Sequence, residues 1–298
     1  MQRLTAALNM DQIDHDAVLD LALQIDEKST YDDEPRYAAA RELLVSLGVD
    51  KVRLKEVRPA AQTVSRFILY LSEYLGISKI VKLINEFPQI VSLSEENLEG
   101  RRKYLELDKK KFIELILKFP PIVNLSEENL EGRRKYLELD KKKFIELILK
   151  YPPVVGHSEE NLEGRRKYLE LDKKKFIELI LKFSQIISYS EENLERKFSY
   201  YERHFGESRM DIINRVINGQ AFLLSCSFYT RILLRVKYAS CFMNERVETL
   251  DDVIRLICPK EDKFLKMLRG ADLSEYAELR GMSEVLKNTN GPVKSKQR

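Results

Sequence analysis

Apolar residues from Leu93 to Lys182 follow two alternating rhythms. In "SEENLEGRRKYLEL" (Ser94–Leu107) they are sparse, and Leu98 shares a face with Arg101, Arg102 and Leu105, so the pattern predicts a helix with a narrow apolar stripe. In "KKKFIELILKF" (Lys109–Phe119) they are dense. Phe112, Ile113, Leu115, Ile116, Leu117 and Phe119 cover most of the circumference, which predicts a second helix in the inner layer of a stack. Ser94 and Asp108 stand where N-caps belong, Glu95 and Glu96 suit the positive end of the first helix, and Leu93 and Leu98 hold hydrophobic-staple positions. Pro120 and Pro121 end the second helix, because proline lacks the N–H and disfavours α geometry in the residue before it. Gly100, inside the first helix, costs about 1 kcal/mol against alanine and predicts a bend or a close helix contact.

This helix–turn–helix–connector unit repeats. The same 25 residues occupy Ser94–Lys118, Ser126–Lys150 and Ser158–Lys182, and Phe87-Pro88, Phe119-Pro120, Tyr151-Pro152 and Phe183-Ser184 recur every 32 residues. "SRFILYLSEYLGISKIVKLINEFPQIVS" upstream aligns with the unit without gaps. "YSEENLERKFSYYERHFGESRMDIINRVING" downstream begins as it does and then drifts, as terminal repeats must. The architecture expected is all-α: a superhelical solenoid of ~32-residue repeats with short 3₁₀ connectors over residues 31–270, the near-identical units being 93–124, 125–156 and 157–188. An acidic segment, 1–30, precedes it and a weakly structured tail, 271–298, follows. Only the connectors "FPPIVNL", "YPPVVGH" and "FSQIISY" vary. Most exchanges there keep apolar character, as a buried joint would, and chemistry changes only at Asn124/Gly156/Ser188 and Leu125/His157/Tyr189.

Charge adds an asymmetry to this picture. The formal net charge is +3, yet residues 1–60 carry eight basic and twelve acidic side chains, whereas 196–246 carry nine basic and four acidic. A polyanion would be attracted to the second region and repelled by the first. The three cysteines, Cys226, Cys241 and Cys258, form no CxxC pair and read as thiols of a reducing, intracellular compartment. The acid-rich start does not resemble an import signal, so the cytoplasm is expected, or an organelle if a transit peptide precedes residue 1. No apolar run approaches the ~20 residues that span a bilayer. His15, His157 and His204 lie in different segments, and no metal, phosphate-loop or nucleophile motif occurs, so neither enzyme nor cofactor nor metal is expected.

The connector and first helix, "FPPIVNLSEENLEGRRKYLEL", resemble the repeat of the mitochondrial transcription termination factor (mTERF) family. The features are the connector prolines Pro88, Pro120 and Pro152, the leucines Leu98, Leu105 and Leu107, and the late segment "SFYTRILLRVKY" (Ser227–Tyr238). Ser184 departs from the pattern at the last connector. The resemblance spans roughly residues 40–270 and implies a helical solenoid that binds nucleic acid, mostly duplex DNA and in some members RNA, in transcription, its termination or ribosome assembly.

Candidate contacts follow from the residues themselves. Lys109, Lys110 and Lys111 open the second helix, and Lys141, Lys142, Lys143, Lys173, Lys174 and Lys175 repeat the placement, forming a periodic positive edge with free N–H groups suited to phosphates. Arg101, Arg102, Arg133, Arg134, Arg165 and Arg166 either snorkel over the core or reach a groove. Downstream, Arg196, Lys197, Arg231 and Arg235 interleave with aromatics such as Tyr200, Phe228 and Tyr229, a mixture that suits nucleic acid. The expected partner is nucleic acid, duplex DNA ahead of RNA, bound by a monomer. The rival reading is a protein-interaction solenoid that uses the acidic N-terminal region.

Overall fold

Capping sets where each helix of the repeat begins. In the computed structural model Ser94 Oγ accepts the Asn97 N–H at 3.2 Å and Asp108 Oδ1 accepts that of Lys111 at 2.8 Å, and the second copy repeats both bonds through Ser126 and Asp140. The structure describes residues 40–45, 47–54, 61–242, 246–267 and 276–282. The acidic segment 1–30, with the partner surface expected there, and the tail beyond 282 lie outside the described residues. Every regular element among the described residues is helical, in helix pairs joined by 3₁₀ turns. None of the described helices is long and apolar enough to cross a membrane.

The chain divides into two compact units, residues 1–159 and 160–298. The first contains α1 (Ala61–Ser72), α2 (Ile77–Glu86), α3 (Glu95–Tyr104), α4 (Lys109–Lys118), α5 (Glu127–Tyr136) and α6 (Lys141–Lys150). Pro88–Ser92, Pro120–Asn124 and Pro152–Gly156 form its 3₁₀ connectors. Its core is the pattern read from the sequence: Leu98 and Leu105 from the sparse helix, Phe112, Ile113, Leu115 and Ile116 from the dense one, and Ile122 and Val123 from the connector. Helix α4 keeps a solvent stripe at Lys110, Lys111, Glu114 and Lys118, so it is apolar over most of its surface rather than all of it. Adjacent connectors pack closely. A Cβ on Gly156 would stand 2.9 Å from Phe119 Cζ, so the variable glycine makes room for the preceding ring.

The second unit contains α7 (Glu159–Tyr168), α8 (Lys173–Lys182) and the connector Ser184–Ser188, then α9 (Glu191–Phe205), α10 (Arg209–Ile217) and α11 (Phe222–Ser225). A π-helical turn, Phe228–Leu233, leads into α12 (Leu234–Phe242), followed by α13 (Leu250–Ile257) and α14 (Glu261–Met267). Ser184, where the other connectors have proline, is buried and donates to the Ile180 carbonyl at 2.8 Å, satisfying an end-of-helix acceptor that proline would leave open.

Two local features depart from expectation. Gly100 marks no close contact: a Cβ there, or on Gly164, would meet nothing within 4 Å, and on Gly132 it would meet only the movable carboxylate of Glu159. Gly100→Ala and Gly164→Ala should therefore each raise unfolding free energy by about 1 kcal/mol, read from urea denaturation; a loss at either would mean the backbone there is not ordinary helix. The turn after each sparse helix is a Schellman motif. Leu107 N–H bonds the Arg102 carbonyl at 3.2 Å and Glu106 N–H bonds that of Lys103 at 3.0 Å, which places Glu106, Glu138 and Glu170 at φ of 53°, 53° and 57° where glycine is usual.

Candidate nucleic-acid interface

Most of the arginines expected to reach a ligand are turned inward by the repeat itself. Arg101 Nε donates to the Leu125 carbonyl at 3.1 Å, Arg133 Nε to that of His157 at 2.9 Å, and Arg165 Nη2 to that of Tyr189 at 2.6 Å. Each bond joins one repeat to the connector of the next. Burial pulls the Arg101 and Arg133 guanidinium pKa values downward, as befits groups withdrawn from water. Because the acceptor is a backbone carbonyl, the side chain at the joint is free to be leucine, histidine or tyrosine. The variation at that position is thus compatible with a fixed clamp.

Arg102, Arg134 and Arg166 work within their own repeats. Arg102 forks onto Glu99 at 2.7–3.0 Å and donates Nη1 to the Leu107 carbonyl at 2.8 Å, holding the left-handed turn at Glu106. Arg134 and Arg166 make the same bonds to Glu131 and Leu139, and to Glu163 and Leu171. The carboxylate also serves the repeat before it. Tyr70 donates to Glu99 at 2.8 Å, Tyr104 to Glu131 at 3.2 Å and Tyr168 to Glu195 at 3.2 Å. Arg134 above all holds the Glu131 carboxyl down at about 2, while burial followed by the Glu131 bond pushes the Tyr104 hydroxyl up to about 12.

The first lysine of each edge triplet in the first unit is likewise committed. Lys109 Nζ lies 4.2 Å from the Tyr70 ring centroid and 2.8 Å from Glu73, and Lys141 Nζ lies 3.4 Å from the Tyr104 ring centroid. The helix ends between them are not vacant anion sites. Asp108 and Asp140 already place carboxylates there, and the Lys111 and Lys143 N–H groups hold those carboxyls below their usual range. Exposed lysines remain: Lys110, Lys111, Lys142 and Lys143 in the first unit and Lys174 in the second, with Lys175 half-buried beside it and Lys173 exposed but engaged. Lys111 and Lys143 pair only with their own caps, at 3.3 and 3.6 Å, from positions well in water. Such pairs contribute little and yield readily to a phosphate.

The C-terminal candidates need the largest correction. Arg235 is 1% exposed. Its Nη1 donates to the carbonyls of Leu256 (2.9 Å) and Pro259 (2.7 Å), its Nη2 pairs with Glu261 at 2.7 Å, and its plane lies 4.2 Å from the Phe264 centroid. Arg231 donates to the same Pro259 carbonyl at 2.8 Å. Both arginines close the C-terminal end of α13, where a cation offsets the helix dipole; Arg235 is withdrawn from the surface, whereas Arg231 is half-buried. Lys197 is 2% exposed and donates to the Leu224 carbonyl below the Tyr189 ring, so it cannot touch a ligand either. It occupies the clamp position held by Arg101, Arg133 and Arg165 in the copies.

Arg196, half-buried like Arg231, lies at an open groove. It pairs with Glu192 and stands 5.4 Å from the Tyr229 ring, at the edge of a groove of about 400 Å³. Arg209, which belongs to the same basic–aromatic mixture in sequence, links Glu195 and the Tyr168 carbonyl, each at 2.7 Å, and covers the rings of Tyr168 and Phe198. The signal missed in the sequence was the i,i+3 spacing of Glu99 and Arg102, which foretold a pair.

Comparison with known proteins agrees with this architecture. The mTERF family model matches residues 103–238. No curated protein gives a significant match to the chain. The matched stretch contains two whole 25-residue copies and runs through the π-helical turn into α12. With its paired helices and 3₁₀ connectors, the chain is similar through this region to the helical-repeat proteins of the mTERF family.

Proposed function

We propose that the protein binds duplex DNA through the lysine edge of its repeats and acts in transcription or its termination, without catalysing a reaction. The observation that carries this reading is the exposure of Lys110, Lys111, Lys142 and Lys143 at the same place in successive repeats, after neighbouring cations have been taken up by the fold. A row of point charges with a fixed repeat suits a phosphate backbone, which is read by position and not by base. The likeness to the mTERF family supports nucleic acid as the ligand class.

Affinity for a random-sequence duplex should fall steeply with salt, with log K declining linearly against log salt. Replacing Lys110, Lys111, Lys142 and Lys143 by glutamine should shallow that slope by about 3.6, near 0.9 for each phosphate no longer neutralised. An unchanged slope in this variant, or an affinity indifferent to salt, rejects the lysine edge as the DNA-binding surface. Competition with duplex RNA then decides between the two polymers.

A further inference from the structure

The groove beside Arg196 has a chemistry of its own. It is lined by Ser199, Tyr200, Arg203, His204 and Phe228 together with the paired Glu192–Arg196 and Glu195. Its aromatic residues brace one another: Tyr200 meets Phe228 edge-on at 5.4 Å, His204 lies 4.7 Å from Tyr200, and Phe228 stands 5.2 Å from Tyr229. Phe228 and Tyr229 reach this position on the π-helical turn, an irregularity that is rare in proteins and frequent at functional sites.

Charge around the rim is unevenly used. Glu192 is neutralised by Arg196, and Glu195 by Arg209, with further hydrogen bonds from Tyr168 and Ser199. Arg203 is exposed and makes no ion pair or hydrogen bond with any of the described residues. The groove therefore offers an aromatic floor, a volume of about 400 Å³ within the usual range for small-ligand sites, and one uncommitted cation. A planar aromatic ligand with a single anionic group complements all three.

We infer that this groove binds a nucleotide as a base carrying one terminal phosphate, with the base on Tyr200, His204 and Phe228 and the phosphate at Arg203. An internal position of a strand fits poorly, since it carries a phosphate on both sides and the lining offers one cation outside an ion pair, Arg203. A free mononucleotide and the 5′-phosphorylated end of a strand share the required chemistry. The lysine edge lies on other residues, so the groove site does not depend on it.

The test uses the full chain and the fluorescent probe etheno-AMP, followed by anisotropy, with adenosine and AMP as competitors. AMP should displace the probe better than adenosine. Arg203→Gln should weaken AMP about tenfold and leave adenosine unchanged, whereas Phe228→Ala should weaken both about tenfold. Arg203 is at the surface and its variant keeps the fold, so the test does not hang on the half-buried phenylalanine. The Lys110, Lys111, Lys142 and Lys143 glutamine variant should retain AMP binding in full, which separates this site from the duplex-binding edge. A 5′-phosphorylated single strand that binds better than its unphosphorylated form, with the same Arg203 dependence, identifies the strand end as the source; AMP binding identifies the free nucleotide. The inference is overturned if neither AMP nor the phosphorylated strand binds in preference to its unphosphorylated form, or if Arg203→Gln leaves the affinity of whichever binds unchanged.

Discussion

Replacing Arg235 by alanine should lower the unfolding free energy by about 3–5 kcal/mol, the range for breaking a buried ion pair from one side. Four groups lose a contact at once: the Leu256 carbonyl, the Pro259 carbonyl (which keeps Arg231), the Glu261 carboxylate and the face of Phe264. Glu261 also accepts from Tyr276 at 3.0 Å and lies 3.4 Å from Arg280, so the damage extends to α14 and residues 276–282. Denaturation midpoints measure the loss, and hydrogen exchange should place the new opening at α13, α14 and 276–282. Arg235→Met, which keeps the packing over Phe264 and drops the charge, should cost less than alanine. A loss below 1 kcal/mol for alanine would mean that the network is not formed. DNA affinity of the folded fraction should keep its salt slope, because the guanidinium never faces solvent.

The second large effect is a pH dependence centred on Lys197. Burial lowers its ammonium to about 8, only partly offset by the neighbouring Cys226 thiol, against a usual lysine value near 10.4 in the unfolded chain. Below pH 8 both states hold the proton and Lys197 adds no slope. Between pH 8 and about 10.4 the unfolded chain binds a proton that the folded chain has released, so stability should rise with pH, by about 3 kcal/mol in total. Tyr104, Tyr168 and Tyr200, each pushed up to about 12 chiefly by burial, have the opposite sign above pH 10, where the folded state retains protons that the unfolded state loses. Subtracting the profile of Lys197→Met from that of the parent cancels those contributions. The difference should climb through pH 8–10, and a flat difference would show that Lys197 is solvated. Lys197→Arg, which restores the group found in the copies, should abolish the slope as well, since a guanidinium keeps its charge throughout this range.

Local features of the fold could be read from the chain because each depends on neighbours in sequence. Ser94 and Asp108 cap helices whose first N–H groups lie three residues away, and Pro120 acts on the residue before it. The left-handed turn at Glu106 could not be read, because no glycine marks it and the Arg102 bond to Leu107 that holds it is a matter of side-chain direction. The candidate interface suffered more. A sequence reports that Arg101, Lys109 and Arg235 are cations but not that a carbonyl in the next connector, a tyrosine ring in the previous repeat and the end of α13 are waiting for them. Basic residues stand out by charge, and stacking repeats consumes charge across distances that no local pattern encodes. Lys110 and Lys142 stay available to a ligand because the positions on either side do that work.

The clamp from Arg101 to the Leu125 carbonyl has a further consequence for how such a chain changes through time. Donor and acceptor both belong to a module of constant length, and the acceptor is an atom that every amino acid possesses. An exchange that inserts or removes one whole module therefore restores the joint on either side with no compensating substitution. The connectors can meanwhile drift in side chain, as Leu125, His157 and Tyr189 have done. Growth in whole modules is therefore open to this protein as a single-step change, and the lysine edge would lengthen with each addition.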